Sequence, residues 1–146
     1  MPLYRHLLVP LDLDGLSRKV LDTAIEVGRL HGAAITLLHV VEYVPIKTGA
    51  SRALPSSLDV TSEVAEQAGQ RLNAISLPDD VAVRARRVEI GRIKSQILRV
   101  ANEHDVDLVI IGSHQRHGLA LLVNYTEDAV LHCAPCDVLA VRLPDA

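Results

Sequence analysis

The segment from Gly112 to Thr126 holds the residues of this chain that are best suited to binding an anion. Gly112-Ser113 directly follows an apolar run, and Thr126 lies in the last helical pattern of the sequence. A strand, a glycine-containing loop and a helix start can present backbone N–H groups to a phosphate, helped by the helix dipole. Ser113, Arg116 and Thr126 would add donors. The alternative is an ordinary strand-to-helix turn, because a single glycine is weak support for a ligand site.

Asp12 is the second candidate, because it directly follows the first apolar run of the chain. In a binding role its carboxylate would accept hydrogen bonds from donors of a ligand. In a structural role it would cap the turn after the strand through its side chain, as aspartate often does.

The remaining reactive side chains predict neither a metal site nor a catalytic centre. His114 and His117 lack a third ligand at zinc spacing, and we expect them to be solvated. Cys133 and Cys136 follow the last helix instead of preceding it, which favours structural thiols over a redox pair. Ser113 beside His114 is sequence adjacency only, and catalytic partners are assembled in space. We expect His39, inside a strand, to be hydrogen-bonded in the core.

The secondary-structure elements that would position these residues alternate between strand and helix along the whole chain. Short apolar runs bounded by turn residues indicate strands, and apolar residues at helical spacing indicate helices. Non-periodic sequence at 42–57 predicts a long loop, Ser17 is a candidate helix cap, and Gly32 is a helix stop. The predicted strands are His6–Leu11, Ala34–Val41, Val81–Glu89 (an exposed edge strand), Asp107–Ile111 and Asp137–Val141, and the helices are Leu16–His31, Leu58–Leu77, Ile93–His104 and Asn124–His132.

This order predicts a single α/β domain over residues 1–146, with a five-stranded parallel sheet in the order 3-2-1-4-5 and helices on both faces. Such sheets bind ligands beyond the carboxyl ends of the strands, where the strand order reverses. The reversal falls between the first and fourth strands. Asp12 and Gly112 would therefore face one another across the same opening.

Composition excludes several classes of function. Aromatic residues make up 2% of the chain, which argues against single-stranded nucleic acid bound by stacking. The net charge is −3 without a long basic run, so DNA and RNA are not expected as partners. We find neither an apolar stretch of about 18 residues for a membrane span nor a signal peptide. The sequence predicts a cytoplasmic protein without a membrane partner, in a reducing compartment that suits two free cysteines.

Five segments resemble the universal stress protein family and together span nearly the whole chain. They are His6-Leu-Leu-Val-Pro-Leu-Asp12, Leu37-Leu-His-Val-Val-Glu42, Asp107-Leu-Val-Ile-Ile-Gly-Ser-His114, Arg116-His-Gly-Leu-Ala-Leu-Leu122 and Ala134-Pro-Cys-Asp-Val-Leu-Ala-Val-Arg142. The resemblance implies a fold like that of the adenine nucleotide alpha hydrolases. It also implies a nucleotide site that takes in Pro10, Asp12, Val40, Gly112 and Ser113.

The family's phosphate pattern is degenerate in this chain. Nucleotide-binding members carry Gly, two residues, Gly, eight or nine residues, then Gly and Ser or Thr. Gly112 matches, but Gln115 stands at the second glycine. The position of the third glycine falls at Asn124, followed by Tyr125, on the shorter spacing. On the longer spacing it falls at Tyr125, followed by Thr126. Gln115 also resembles the UspA-type branch, whose members do not bind ATP appreciably.

The resemblance therefore implies a stress-response homodimer with weak or absent ATP binding, no required cofactor, no catalytic residue, and a protein partner that the sequence does not identify. Family members commonly pair through the last strand, here at Val138, Leu139, Ala140 and Val141. The alternative is a working ATP or AMP switch with Mg²⁺ and slow hydrolysis. A synthetase-like enzyme on the related fold is disfavoured, because the chain is short and lacks the Ser-Gly-Gly-x-Asp stretch.

Overall fold

The computed structural model describes residues 3–13, 15, 17–42, 57–114 and 126–143, with the backbone alone at 57–59, 114 and 126–128. Five strands alternate with four helices: β1 (His6–Pro10), α1 (Ser17–His31), β2 (Ala34–Val41), α2 (Ser57–Asn73), β3 (Val83–Ile90), α3 (Ile93–Glu103), β4 (Leu108–His114), α4 (Thr126–Cys133) and β5 (Asp137–Leu143). The strands form one parallel sheet in the order β3-β2-β1-β4-β5. The predicted fold class and strand order are confirmed.

Two apolar clusters cover the two faces of the sheet. On the first face, Leu7, Val9 and Leu11 pack with residues of α1 and α2. On the second face, Leu8 and Leu38 pack with residues of α3 and α4. Side chains of a strand alternate between the faces, so residues of one parity belong to one cluster. This parity fixes the face on which each candidate site residue lies.

Most predicted boundaries hold to within one or two residues, and α2 is the main exception. It was expected to continue to Leu77 but ends at Asn73. The reason is tertiary: the Arg86 guanidinium on β3 donates to the carbonyls of Leu72 and Asn73 at 3.1 and 2.7 Å. These bonds satisfy carbonyls that would otherwise accept from a further helical turn. Most of the predicted loop at 42–57 lies outside the described residues, and its last residue already belongs to α2.

The start of α1 is tied to the end of β1. The Ser17 hydroxyl, at the first residue of the helix, accepts a hydrogen bond from the backbone N–H of Asp12 at 3.2 Å. Gly32 has a φ of 63° and ends the same helix, as its position predicts. Within the described ranges, no helix combines the length and apolar character needed for a bilayer crossing.

Candidate functional site

A crevice opens in the sheet between β1 and β4. Their pairing comprises Leu7 with Leu108 and Leu8 with Val109 among the described residues. Beyond that point β4 continues to His114 beside β5, while β1 stays paired with β2 up to Pro10. The carboxyl halves of the two strands are therefore not joined to each other. This is the topological switch point at which parallel sheets bind ligands.

Pro10 explains why the pairing stops. The backbone N–H of Leu11 donates to the Leu38 carbonyl on β2 at 2.8 Å. Consecutive N–H groups of a strand point to opposite neighbours, so the nitrogen of Pro10 faces β4. Proline has no N–H to donate there, which leaves that side of the strand unpaired. A residue of the sequence thus creates the opening in the middle of the sheet.

Three predicted site residues fall at one height along the sheet when the register of the paired residues is extended past the end of β1. Pro10 pairs with Leu38, so the strand register places Val40 level with Asp12. The same count from the pair Leu8 and Val109 places Ser113 level with them. Val40 is 9% exposed and packs in the cluster on the α3 and α4 face. Asp12 is exposed, and Ser113 is half-buried at the carboxyl end of β4. Pro10, Val40 and Ser113 share the second face by parity.

Gly112 was expected in a loop, and this assignment is wrong. Gly112, Ser113 and His114 are the last three residues of β4 and pair with Val141, Arg142 and Leu143 of β5. This pairing supplies the backbone hydrogen bonds that keep a polar stretch in a strand. A Cβ on Gly112 would lie 2.6 Å from Leu143 Cδ1, so the glycine admits a core side chain.

Hydrogen bonds from two helices hold the turn after β1. Asp12 contributes its backbone N–H to Ser17, as described above. The next residue, Leu13, has a φ of 64°, a left-handed conformation that is uncommon for leucine. The Arg71 guanidinium of α2 donates to the Leu13 carbonyl. The Asp12 carboxylate is exposed at the edge of the crevice.

The remaining predicted site residues fall partly outside the description. Gln115, Asn124 and Tyr125, as well as Arg116 and His117, lie outside the described residues. Thr126 is the first residue of α4, described by its backbone. His39 is half-buried, and its Nδ1 lies 2.7 Å from the Leu11 carbonyl, which agrees with a hydrogen-bonded core histidine.

A charged cluster on β3 and α3 borders the second face and was missed in the sequence. Glu89 pairs in register with Val40, and its carboxylate lies 2.9 Å from Arg99 and 3.2 Å from Arg87. Partial burial opposes ionisation of Glu89, but the hydrogen bonds from Arg99 and Arg87 outweigh it and hold the pKa of this carboxyl below its ordinary value. The cluster joins Arg87 and Glu89 on β3 to Arg99 on α3. The alternation of arginines along the β3 sequence does not reveal this contact with the helix.

No metal-binding group of three His, Cys, Asp or Glu side chains is present within the described part of the chain. Cys133 is exposed and Cys136 is half-buried, and both are free thiols. Burial raises the pKa of the Cys136 thiol, and the neighbouring Asp137 raises it further. A raised pKa lowers the thiolate fraction and hence the nucleophilicity of this residue.

Comparison with known proteins identifies the family. A curated relative, universal stress protein A homolog 2 of Coxiella burnetii, is 39% identical over 141 residues, 96% of each chain. The solved UspA of Lactobacillus plantarum is 27% identical with a TM-score of 0.70, covering 95% of this chain and 98% of its own. A universal stress protein solved in complex with cAMP shares the fold, with 18% identity, a TM-score of 0.64, and coverage of 94% and 97%. The universal stress protein family model matches residues 3–142, and the chain belongs to this family.

Proposed function

We propose that this chain is a stress-response protein that binds an adenine mononucleotide in the crevice between β1 and β4 and binds ATP weakly. The observation that carries the proposal is the common height of Asp12, Val40 and Ser113 across an opening at the switch point. The family member solved with cAMP holds an adenine nucleotide with one phosphate, which supports the same class of ligand here.

The residue types at this height suit a nucleoside. The exposed carboxylate of Asp12 can accept hydrogen bonds from ribose hydroxyls or an adenine amino group. Val40, at the end of β2, supplies an apolar surface for the base. Ser113 provides a hydroxyl on the opposite side of the crevice. These groups recognise the nucleoside and one phosphate without requiring a longer phosphate cradle.

Weak ATP binding follows from the sequence after β4. Gln115 occupies a family glycine position, and neither spacing restores a glycine at Asn124 or Tyr125. A side chain at a position that needs left-handed backbone costs about 1–2 kcal/mol. That energy corresponds to about a fivefold to thirtyfold loss of affinity. A triphosphate would contact more of this segment than a monophosphate and should therefore lose more affinity.

Calorimetric titration of AMP and Mg-ATP tests the proposal. We expect AMP to bind at least about tenfold more tightly than Mg-ATP. In the Gln115→Gly/Tyr125→Gly variant, which keeps Thr126 after the restored glycine, ATP affinity should rise about tenfold while AMP affinity changes less than about twofold. Asp12→Ala should weaken AMP binding, and the exposed Asp79→Ala serves as its control. Wild-type protein that binds Mg-ATP as tightly as AMP would contradict the proposal and favour the ATP switch.

We further propose that the protein is a homodimer paired through β5. This strand is at the edge of the sheet, and its outer N–H and C=O groups can pair with a second strand. Leu139 and Ala140 are exposed, whereas Val138 is half-buried. Val141 is 8% exposed within the core, so a partner would meet its backbone and not its side chain.

A charged substitution on β5 tests the dimer. Leu139→Lys should convert a dimeric protein into a monomer in sedimentation velocity, because the ammonium group would be desolvated between the strands. Leu30→Lys on α1, where the leucine is 80% exposed, is the matched control and should remain dimeric. A wild-type protein that sediments as a monomer at tens of micromolar, or a Leu139→Lys protein that keeps the dimer mass, would refute this interface.

A further inference from the structure

A cavity of about 340 Å³ lies on the first face of the sheet, between the start of α1 and the end of α2. It lies on the opposite face of the sheet from Val40 and Ser113, and two of its lining residues, Leu11 and Leu13, flank Asp12. Leu11, which lines the cavity, belongs by parity to the α1 and α2 face. The volume is in the lower part of the range that small-molecule sites occupy, about 300–1,000 Å³.

The inner wall of this cavity is apolar. Leu11 and Leu21 line it and are 5% and 3% exposed, so their side chains are anchored in the core. Ile75 and Ala74, just beyond α2, extend the apolar wall toward the surface. A hydrocarbon chain placed there would bury mainly the exposed surface of Ala74 and Ile75, worth about 25 cal/mol for each Å² buried.

Two guanidinium groups stand at the rim. Arg71 donates to the Leu13 carbonyl, and this bond places its guanidinium, a group with five N–H donors, at the cavity. Arg18 of α1 also lines the cavity, and its Nε is 2.9 Å from Asp22 in an exposed ion pair. An arginine pairs with a carboxylate in a planar, bidentate geometry.

We propose that this cavity binds an amphipathic carboxylate of the medium-chain fatty acid class, with its tail against Leu11 and Leu21 and its head at Arg71 and Arg18. The apolar wall and the cationic rim are arranged as such a ligand requires. A neutral apolar ligand would leave the guanidinium groups unused, and an inorganic anion would leave the wall in contact with water. The proposal is independent of nucleotide binding.

The site also touches the turn that carries Asp12. Arg71 holds the carbonyl of Leu13, which is the residue with the left-handed backbone, and Ser17 holds the N–H of Asp12. A carboxylate that draws Arg71 away from Leu13 would remove one of the two bonds that hold this turn.

Titration of octanoate into the full chain, followed by ¹⁵N NMR, tests the site. Octan-1-ol carries a similar tail without the charge, and acetate carries the head without the tail. We expect octanoate to shift the amides of Leu21, Ala74 and Ile75 and to bind at least about tenfold more tightly than either control ligand, because wall and rim both contribute.

Two variants localise the binding. Arg71→Gln removes the charge and shortens the side chain, and should weaken octanoate at least about fivefold, as expected for a lost charge-assisted hydrogen bond. Ala74→Trp should abolish binding by filling the cavity. Arg92→Gln, at an exposed arginine before α3, is the matched control and should bind normally. Octanol binding as tightly as octanoate, or amide shifts at Val40 and Ser113 instead of the cavity, would overturn the proposal. An Arg71→Gln protein that keeps its melting temperature and full octanoate affinity would do the same.

Discussion

Replacing Gly112 by alanine is expected to lower the free energy of unfolding by about 1–3 kcal/mol, the usual cost of overpacking a core. The added Cβ would lie 2.6 Å from Leu143 Cδ1 and 3.2 Å from Val20 Cγ2. Leu143 is 4% exposed and Val20 is 2% exposed, so neither side chain can move into solvent. The Leu143 side chain must repack within the core, or the strand or the helix must shift. Urea unfolding of the wild type and the variant measures the cost.

A double-mutant cycle separates this clash from other effects of the substitution. Leu143→Ala removes the atoms that the new Cβ meets, so the penalty of Gly112→Ala should fall toward zero in that background. Gly15→Ala is the control, because a Cβ there would meet no atom within 4 Å. A penalty that is the same with and without Leu143 would show that the close packing of β5 and α1 is not the reason for the glycine.

Acidification below about pH 6.5 is expected to destabilise the protein through His6, whose unfolded pKa is near that value. The imidazole is 2% exposed. Its Nδ1 lies 3.0 Å from the His104 carbonyl and its Nε2 lies 2.6 Å from the Thr36 hydroxyl. A carbonyl can only accept, so Nδ1 carries the proton of the neutral ring and Nε2 accepts from Thr36.

Burial is the main cause that lowers the pKa of His6, and the nearby Arg84 lowers it further, against the hydrogen bond to His104 and the charge of Asp107. Between the folded pKa and 6.5 the unfolded chain therefore binds more protons than the folded chain. Stability contributed by the neutral ring is complete above pH 6.5 and is lost as the pH falls through this window.

Urea unfolding at pH 7.5 and 5.5 measures this loss. His6→Leu should lower the free energy of unfolding at pH 7.5 by about 1–3 kcal/mol, because it leaves the buried Thr36 hydroxyl unpaired. The variant should also lose less stability than the wild type between pH 7.5 and pH 5.5. His132→Asn, at an exposed histidine of α4, should keep the wild-type decline. A His6→Leu protein that loses as much stability on acidification as the wild type would refute the role of this ring.

The strand order and the location of the switch point could be predicted from the sequence, because strict alternation of strands and helices with right-handed crossovers leaves few topologies. Structural details that depend on contacts between residues distant in sequence could not be predicted in this way. The early end of α2 depends on Arg86, and the extension of β4 through Gly112 to His114 depends on pairing with β5. The secondary-structure propensities of these segments carry no information about either contact.

The candidate site was predicted unevenly for the same reason. Asp12 and Ser113 were proposed from their positions after strands, and Val40 from the family resemblance; extending the register of the paired residues brings the three to one height. The effect of Pro10 on pairing could have been inferred from its missing N–H in a central strand. The packing role of Gly112 could not have been inferred from the sequence, because its neighbour Leu143 is 31 residues away in the chain (143 − 112).

The most direct measurement of the central claim is a ¹⁵N NMR titration of the wild-type protein with AMP. The account predicts that the largest amide shifts occur at Asp12, Val40 and Ser113, which surround the crevice between β1 and β4. Saturable binding with its shifts confined to the cavity between α1 and α2, or no saturable shifts at millimolar AMP, would contradict it.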